Sequence, residues 1–314
     1  MTGALPAVVF MGTPDFAVPS LEALAEAGHP VRLVVTQPDR PRGRGRRLAP
    51  PPVRLAAERL GLPVIQPARL GDPPTIEALA AAGADLFVVV AFGQLLPPAV
   101  LDIPPLGAVN VHASLLPRHR GAAPIQWAIL QRDAETGVTT MQMDAGLDTG
   151  DILLSEATPI GPRETAAALH DRLARMGARL VVATAARLAA GDLVPQPQDD
   201  ARATCAPRLA KADGRIDWQR PALAIEALVR GFTPWPGAFT FMGDRRLKIL
   251  AARPARPTAD TPPGTVLPAF EGELRVMTGD GALSIEALQG AAGKPLAAAD
   301  FLRGHPVPPG TRLG

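Results

Sequence analysis

The sequence predicts an α/β fold, with a mostly parallel sheet flanked by helices and a small C-terminal β-barrel. Three observations support this prediction. Apolar strand segments alternate with helical segments through residues 1–190, which is typical of a parallel sheet with helices on both faces. The segment 85–92 is almost continuously apolar, as in a strand buried on both faces. Beyond residue 207, short strand segments separated by turn residues replace the alternation.

The strands and helices of the first 190 residues are predicted from the spacing of apolar residues. Strand segments are short apolar runs bounded by Gly, Pro or polar residues, and helical segments repeat apolar residues three or four positions apart. Strands are predicted at 8–11, 31–36, 63–66, 85–92, 107–112, 138–143 and 152–157. Helices are predicted at 20–27, 53–60, 75–82, 124–131 and 164–190.

A change of composition after residue 190 predicts the domain boundaries. Residues 191–206 contain prolines and an acidic pair, which is typical of a linker between a domain at 1–190 and a domain at 207–314. The second domain has one predicted helix, at 222–230. Its strands are predicted at 238–242, 247–251, 264–267, 274–278 and 282–287. Their length and spacing favour a small β-barrel.

Composition predicts a cytoplasmic enzyme that does not enter a membrane. The chain has 314 residues, of which 47% are hydrophobic and 20% charged, and this suits two packed domains. No apolar run approaches about 18 residues, so no membrane span is expected. The apolar run at 8–11 is too short for a signal peptide. A single cysteine, Cys205, excludes an internal disulfide and fits a reducing compartment.

The distribution of charge favours a nucleic-acid partner. Residues 207–314 hold 14 Lys and Arg against 10 Asp and Glu, whereas residues 1–206 hold 18 against 20. One loop after the second predicted strand contains Arg40, Arg42, Arg44, Arg46 and Arg47. Such a loop could order on phosphate groups, and the alternative is a solvated loop without a ligand.

The first predicted strand lacks the glycine fingerprint of dinucleotide-binding proteins. Gly12 is followed by Thr13 and Pro14, and proline has no N–H group to offer a pyrophosphate. An oxidoreductase with a dinucleotide site is therefore disfavoured.

Three polar residues indicate acyl chemistry. Asn110 and His112 alternate with Val109 and Val111, so both polar side chains point to one face at the end of a predicted strand. An amide and an imidazole can stabilise a developing oxyanion, and Asp148 could orient the histidine, raise its pKa and accept a proton. The alternative is that the pair are satisfied polar groups in a strand-to-loop turn.

These residues resemble the signature of the folate-dependent formyltransferase family. The signature comprises Asn110-x-His112, the turn Ser114-Leu115-Leu116-Pro117, and Asp148 within residues 146–150. Further similar segments are 10–19, 36–41, 121–126 and 232–238. The similarity therefore runs nearly from end to end.

The resemblance implies a Rossmann-like formyltransferase sheet and an OB-like C-terminal β-barrel that contacts tRNA. It further implies transfer of the formyl group of 10-formyltetrahydrofolate to the α-amino group of methionyl initiator tRNA, in translation initiation. No metal is expected, because the spacing of Asp144, Asp148 and Asp151 does not match a calcium loop and no His or Cys lies beside them. A monomer is expected.

The resemblance also assigns residues to the two substrates. It places the folate against Phe92 and the turn formed by Ser114, Leu115, Leu116 and Pro117. It places the tRNA acceptor end at the arginine loop, where Arg44 is the position carried over from the family. Phe232 and Trp235 could stack on bases or belong to a core.

Two positions depart from the family pattern. His119 stands where Trp is usual and is predicted to be a loop residue without a catalytic role, and Phe92 stands where Tyr is common. Two alternative functions remain. One is a folate-dependent formyltransferase that acts on another amine, such as a sugar nucleotide, and the arginine loop weighs against it. The other is an inactive RNA-binding relative, which the intact Asn110, His112 and Asp148 weigh against.

Overall fold

The computed structural model describes residues 5–42, 47–291 and 293–314. Its contacts divide the chain into two compact units. The first unit comprises Met1–Pro124, Glu135–Thr158 and His170–Ala206. The second unit comprises Ile125–Ala134, Pro159–Leu169 and Pro207–Gly314.

A seven-stranded sheet forms the centre of the first unit. Its strands are β1 (Val8–Gly12), β2 (Val31–Val35), β5 (Val64–Ile65), β6 (Leu86–Val90), β7 (Ala108–His112), β8 (Glu135–Gln142) and β9 (Ile152–Pro159). A separate hairpin consists of β3 (Arg40–Arg42) and β4 (Arg47–Ala49). The sheet order is β5-β2-β1-β6-β7-β8-β9. The first five strands in that order pair in parallel, whereas β7 and β8 pair antiparallel.

The predicted helices are present, with small differences at their ends. Helices before residue 125 are α1 (Val18–Glu26), α2 (Pro52–Arg59), α3 (Pro73–Ala81), α4 (Pro98–Leu101) and α5 (Pro124–Leu130). The later helices are α6 (Ala166–Ala190), α7 (Ala222–Gly231) and α8 (Ala298–Gly304). Helices α4 and α8 were not predicted; α4 has only four residues, which is too short to show a helical repeat.

The core of the first unit lies around the central strands β1 and β6. Every residue of both strands is buried, which confirms the prediction of a strand covered on both faces. Phe87 and Phe92 are among the largest fully buried side chains. Helix α6 lies close to β7, since a Cβ at Gly177 would lie 2.8 Å from Cγ1 of Val111. This packing fixes β7, the strand that carries Asn110 and His112, from one face.

The second unit contains an antiparallel sheet. Its strands are β10 (Ala238–Met242), β11 (Arg245–Ala255), β12 (Val266–Leu267), β13 (Leu274–Met277), β14 (Ala282–Gly290) and β15 (Leu296–Ala297). The order is β10-β11-β14-β13-β12, and β15 pairs with β14. Strand β11 is longer than predicted and includes Pro254, which is tolerated because β11 pairs beyond Ile249 only with β14.

The C-terminal tail connects the two ends of this sheet. Leu313 bridges to Met242 of β10, and Arg312 bridges to Thr265, next to β12. The backbone of residues 311–314 thereby pairs with the first and the last strand in the sheet order. The sheet consequently curls into a small barrel-like structure that the tail completes, in agreement with the predicted fold class.

Candidate active site

Strand β7 presents Asn110 and His112 on one face, as alternation along a strand requires. His112 is buried, with 6% of its surface exposed, whereas Asn110 is partly exposed. Among the described residues, the Asn110 carboxamide has no recorded hydrogen bond to protein. Its N–H groups are therefore available to a ligand at this face.

The imidazole of His112 is held by the backbone of a nearby turn. Its Nε2 lies 3.0 Å from the carbonyl oxygen of His119. A carbonyl can only accept, so Nε2 carries the hydrogen and donates. His119 has a left-handed backbone, with φ of 60°, at the point where its carbonyl bonds the ring. His119 thus lies in a loop, as predicted, and it is the backbone of this residue that contacts His112.

Asp148 approaches the other nitrogen of the same ring. Its Oδ2 lies 3.6 Å from Nδ1 of His112 and accepts a hydrogen bond of 2.8 Å from the Gly121 amide. Asp148 also has a positive φ, of 54°, a conformation that costs an L-residue about 1–2 kcal/mol. The structure thus brings together all three predicted catalytic residues.

The route of the chain to Asp148 follows from the antiparallel pairing of β8. Because Gln142 pairs with Val109, the loop at 143–151 leaves β8 beside the start of β7 and must return along that strand to reach His112. The return is tight, since a Cβ at Gly150 would lie 1.7 Å from the carbonyl oxygen of Gln142. Only glycine fits at that position.

Burial determines the charge state of His112. It lowers the pKa of His112 below its usual value, and this effect exceeds the opposing influences of the Asp148 charge and the bond to the His119 carbonyl. His112 is therefore neutral at neutral pH, with Nε2 protonated and a lone pair on Nδ1. Asp148 does act to raise this pKa, as predicted, but burial has the larger effect and the net shift is downward.

The turn predicted to contact the folate is held by a hydrogen bond to the backbone just after it and by another from strand β8. The Ser114 hydroxyl donates to the Arg118 carbonyl at 2.5 Å, and the Ser114 carbonyl accepts from Thr139 Oγ1 at 2.7 Å. Ser114 and Leu116 are buried, whereas Leu115 and Pro117 are partly exposed. Only the last two could therefore present side chains to a ligand.

The structure places the Phe92 ring in the hydrophobic core, with 2% exposure. The predicted contact between this ring and a folate is not supported. The carbonyl of Phe92 accepts hydrogen bonds from Thr13 Oγ1 at 2.8 Å and Gln37 Nε2 at 3.4 Å. Phe92 thus supports the backbone at the end of β6.

The arginine loop is partly a β-hairpin, which the sequence did not predict. Arg42 pairs with Arg47 and Arg40 with Ala49. The exposed side chain of Arg40 donates to Gln37 at 3.0 Å. Arg44 and Arg46 lie outside the described residues.

The base of this hairpin is fixed by Asp39. Arg54 bonds both of its carboxylate oxygens, at 3.0 and 3.1 Å, and Gln66 donates to one of them at 2.8 Å. The hydrogen bond from Gln66, together with Arg54, holds the pKa of Asp39 below its usual value. The hairpin therefore starts from an anchored residue.

The two aromatic residues of the segment 232–238 differ in exposure. Phe232 is buried, at 2%, and so belongs to the core of the second unit, whereas Trp235 is 47% exposed. Only Trp235 could stack on a base.

Sequence reasoning missed the contribution of residues 191–206, the predicted linker. Thr204 accepts from the His119 amide through Oγ1 at 2.8 Å and from the Arg120 amide through its carbonyl at 2.8 Å. Gln198 donates to two carbonyls of the loop that carries Asp148, and it accepts a hydrogen bond from the Arg120 guanidinium. No local sequence pattern marks these residues, because their partners are distant in the chain.

The fold and the site define a class of enzyme that transfers acyl groups between bound substrates. An amide donor and a neutral imidazole share one face of β7, and a carboxylate lies beside the imidazole, which are the groups that such chemistry uses. Across residues 5–42, 47–291 and 293–314, no cluster of three or more His, Cys, Asp and Glu could hold a metal. No helix in these ranges is long and apolar enough to cross a membrane.

Comparisons with known proteins identify the family. Residues 6–185 match the family model described as formyl transferase, and residues 208–306 match its C-terminal domain. The chain belongs to the formyl transferase family.

Curated relatives specify the kind of formyl transferase that the chain resembles. It is 52% identical to the methionyl-tRNA formyltransferase of Citrifermentans bemidjiense over 98% of this chain and 96% of the relative. It is 49% identical to the enzyme of the same name from Geobacter sulfurreducens, with the same coverage.

Solved structures share the fold at low identity. The sugar 3N-formyl transferase WlaRD has a TM-score of 0.66 and 17% identity, covering 93% of this chain and all of the other. HypX from Aquifex aeolicus in complex with tetrahydrofolic acid has a TM-score of 0.61 and 19% identity, covering 95% of this chain and 47% of HypX.

Proposed function

We propose that this protein transfers the formyl group of 10-formyltetrahydrofolate to the α-amino group of methionyl initiator tRNA. The observation that supports the choice of acceptor is the similarity to methionyl-tRNA formyltransferases, at about 50% identity over 98% of the chain. The geometry of the site supports the chemistry. The product, N-formylmethionyl-tRNA, serves translation initiation in the cytoplasm, and the enzyme acts as a monomer.

Asn110 is the proposed donor to the oxyanion. When the amine adds to the formyl carbon, the carbonyl oxygen gains negative charge and needs an N–H group beside it. The Asn110 carboxamide lies on the face of β7 next to His112 and has no recorded protein partner in the part of the chain that the structure describes. It can therefore bond the oxygen without first breaking a bond to protein.

His112 and Asp148 are the proposed acceptors for the amine proton. In the neutral ring Nε2 donates to His119, so Nδ1 offers a lone pair. The attacking amine must lose a proton as the new C–N bond forms, and Nδ1 can take it. The resulting imidazolium would lie 3.6 Å from Oδ2 of Asp148, whose negative charge stabilises it. When the tetrahedral intermediate collapses, the bond between the formyl carbon and N10 of the folate breaks, and the imidazolium can give that proton to N10 so that tetrahydrofolate leaves. This role replaces the predicted role of His112 as a second oxyanion donor, since the single N–H of the neutral ring already donates to the His119 carbonyl.

The folate is proposed to lie between the end of β6 and the turn after β7. Both segments follow parallel strands at the carboxyl edge of the sheet, where α/β folds place ligands. Leu115 and Pro117 supply partly exposed apolar side chains there. Ser114, Leu116 and Phe92 shape this region from behind, through the buried contacts described above.

The tRNA acceptor end is proposed to bind the segment 40–47, whose sequence contains Arg40, Arg42, Arg44, Arg46 and Arg47. Five arginines in eight residues offer several cations to successive phosphates, and Asp39 anchors the segment where it begins. Trp235 of the second unit is separately proposed to stack on an unpaired base of the tRNA, and the net positive charge of residues 207–314 to attract phosphates.

The test is formyl transfer from radiolabelled 10-formyltetrahydrofolate to three acceptors in parallel: methionyl initiator tRNA, methionyl elongator tRNA and a dTDP-linked amino sugar. We expect transfer to the initiator tRNA at a kcat/KM at least about 100-fold above that for the other two. Faster transfer to the amino sugar, or no transfer to any acceptor, would refute the assignment.

A further inference from the structure

The half-buried side chain of Gln198 donates hydrogen bonds to two backbone carbonyls of the loop that carries Asp148. Its Nε2 donates to the carbonyl of Asp148 at 3.0 Å and to the carbonyl of Gly150 at 2.6 Å. These two carbonyls flank the tight return of the loop toward His112. One amide group thus holds the backbone at Asp148 itself and two residues beyond it.

Gln198 is itself held by Arg120. The Arg120 guanidinium donates to Oε1 of Gln198 through Nε at 3.0 Å and through Nη2 at 2.8 Å. Only 12% of the Arg120 side chain is exposed. The two bonds fix the amide so that its N–H groups point at the loop.

The backbone of Arg120 connects the same group of contacts to His112. Arg120 lies between His119, whose carbonyl holds Nε2 of His112, and Gly121, whose amide donates to Asp148. The side chains of His112 and Asp148 are therefore both hydrogen-bonded to the backbone of the same three consecutive residues, 119–121. Gln198 joins this tripeptide to the loop by hydrogen bonds from one side chain.

We propose that Gln198 is a positioning residue, which holds Asp148 against Nδ1 of His112 during the reaction. The role in turnover rests on the proposed function, whereas the role in geometry does not. Asp148 has a left-handed backbone and ends a loop that must return along β7, so its position depends on contacts from outside the loop. Gln198 supplies these contacts from the segment 191–206.

The first experiment measures the geometry without any substrate. The Gly121 amide is bonded to Asp148, so its hydrogen exchange, followed by NMR on the full chain, reports whether Asp148 is in place. We expect Gln198→Ala to speed exchange at Gly121 at least about tenfold and to leave the Val88 amide in β6 unchanged. Gln196→Ala is the matched control, because Gln196 is exposed and its side chain makes no recorded contact.

Three outcomes overturn the geometric part of the proposal. Exchange at Gly121 could be unchanged in Gln198→Ala, could be equally fast in Gln196→Ala, or could rise together with exchange at Val88. The last result would mean a loss of general stability. If Gln198→Ala does not fold, Gln198→Glu replaces it, since it retains the acceptor for Arg120 but lacks the N–H groups that bond the two carbonyls.

The second experiment measures turnover with initiator tRNA. We expect Gln198→Ala to lower kcat about 10- to 100-fold and to change each KM less than about threefold, because misplacing a catalytic group affects the chemical step. In an Asp148→Asn background, the same substitution should lower kcat less than about threefold. Equal losses in both backgrounds would overturn the proposal, since Gln198 would then not act through Asp148.

The two experiments separate the failure of this proposal from the failure of the proposed function. If the unmutated protein does not formylate initiator tRNA, the proposed function is wrong, and exchange at Gly121 still decides the role of Gln198. If the unmutated protein is active and exchange at Gly121 is unchanged in both Gln198 variants, only the positioning role is wrong.

Discussion

The proposed catalytic face of β7 and the arginine hairpin are built in opposite ways. His112 and Asp148 are nearly buried and bonded to backbone groups. The hairpin begins at the anchored Asp39 and presents an exposed Arg40. In a buried site a few hydrogen-bonding atoms account for most of the rate enhancement. Exposed cations each add a small attraction to the phosphates, which salt screens. Single substitutions should therefore be severe at the first region and graded at the second.

The largest effect is expected for Asn110→Ala. Losing one donor to a developing oxyanion lowers kcat by about 100- to 1000-fold. Initiator-tRNA affinity, measured by filter binding, should change less than about twofold, because the side chain meets only the reacting group. Single-turnover formyl transfer measures the loss.

Wild-type turnover in Asn110→Ala would contradict the expectation that a single substitution on this face of β7 is severe. The control is Thr184→Ser, a conservative change in a buried residue of the same unit that lies outside the proposed site. It should retain nearly full activity.

A smaller effect is expected at the hairpin. In the double variant Arg44→Ala with Arg46→Ala, we expect the dissociation constant for initiator tRNA to rise about tenfold near 0.15 M salt. The slope of log affinity against log salt should fall by about one to two, since each lost phosphate contact removes just under one unit. At saturating tRNA, kcat should be nearly unchanged.

The matched control for the hairpin is Arg179→Ala with Arg187→Ala on α6. It removes the same net charge from exposed positions that pair with Glu156 and Asp192. Equal salt slopes for the two double variants would show that the hairpin contributes only general charge.

The sequence predicted the local part of the catalytic site. Strand alternation alone places Asn110 and His112 on one face, and the continuous apolar run predicts the buried strand β6. The resemblance added Asp148, which the structure brings to His112 although 36 positions separate the two residues.

The remaining features depend on contacts between distant parts of the chain. Gln198 reaches Asp148 because residues 191–206 pack on the first unit, and a proline-containing segment carries no pattern that specifies this packing. The role of Nε2 in His112 depends on the left-handed backbone at His119. The Phe92 ring was assigned to a ligand because sequence position does not reveal the face that a loop residue buries.

The smallest effect is the pH dependence that His112 gives to the free energy of unfolding, which the arginine hairpin does not share. Burial lowers the pKa of His112 in the folded protein, whereas in the unfolded chain this pKa is about 6.5. Between these two values the unfolded chain binds more protons than the folded chain, so the free energy of unfolding falls as pH falls below about 6.5. Above this pH both states hold a neutral ring and no dependence arises from His112.

Urea unfolding of the wild type and of His112→Gln, at intervals from pH 8 to pH 5, measures this dependence. The difference between the two free energies of unfolding should be constant above about pH 7 and should shift against the wild type below about pH 6.5. The hairpin double variant should follow the wild-type profile, because arginine stays charged throughout this range. If the difference instead shifts in favour of the wild type as pH falls toward about 6.5 and is constant below it, the folded pKa of His112 is raised and the ring is cationic. Nδ1 then has no lone pair with which to take the proton of the amine, and that task passes to Asp148.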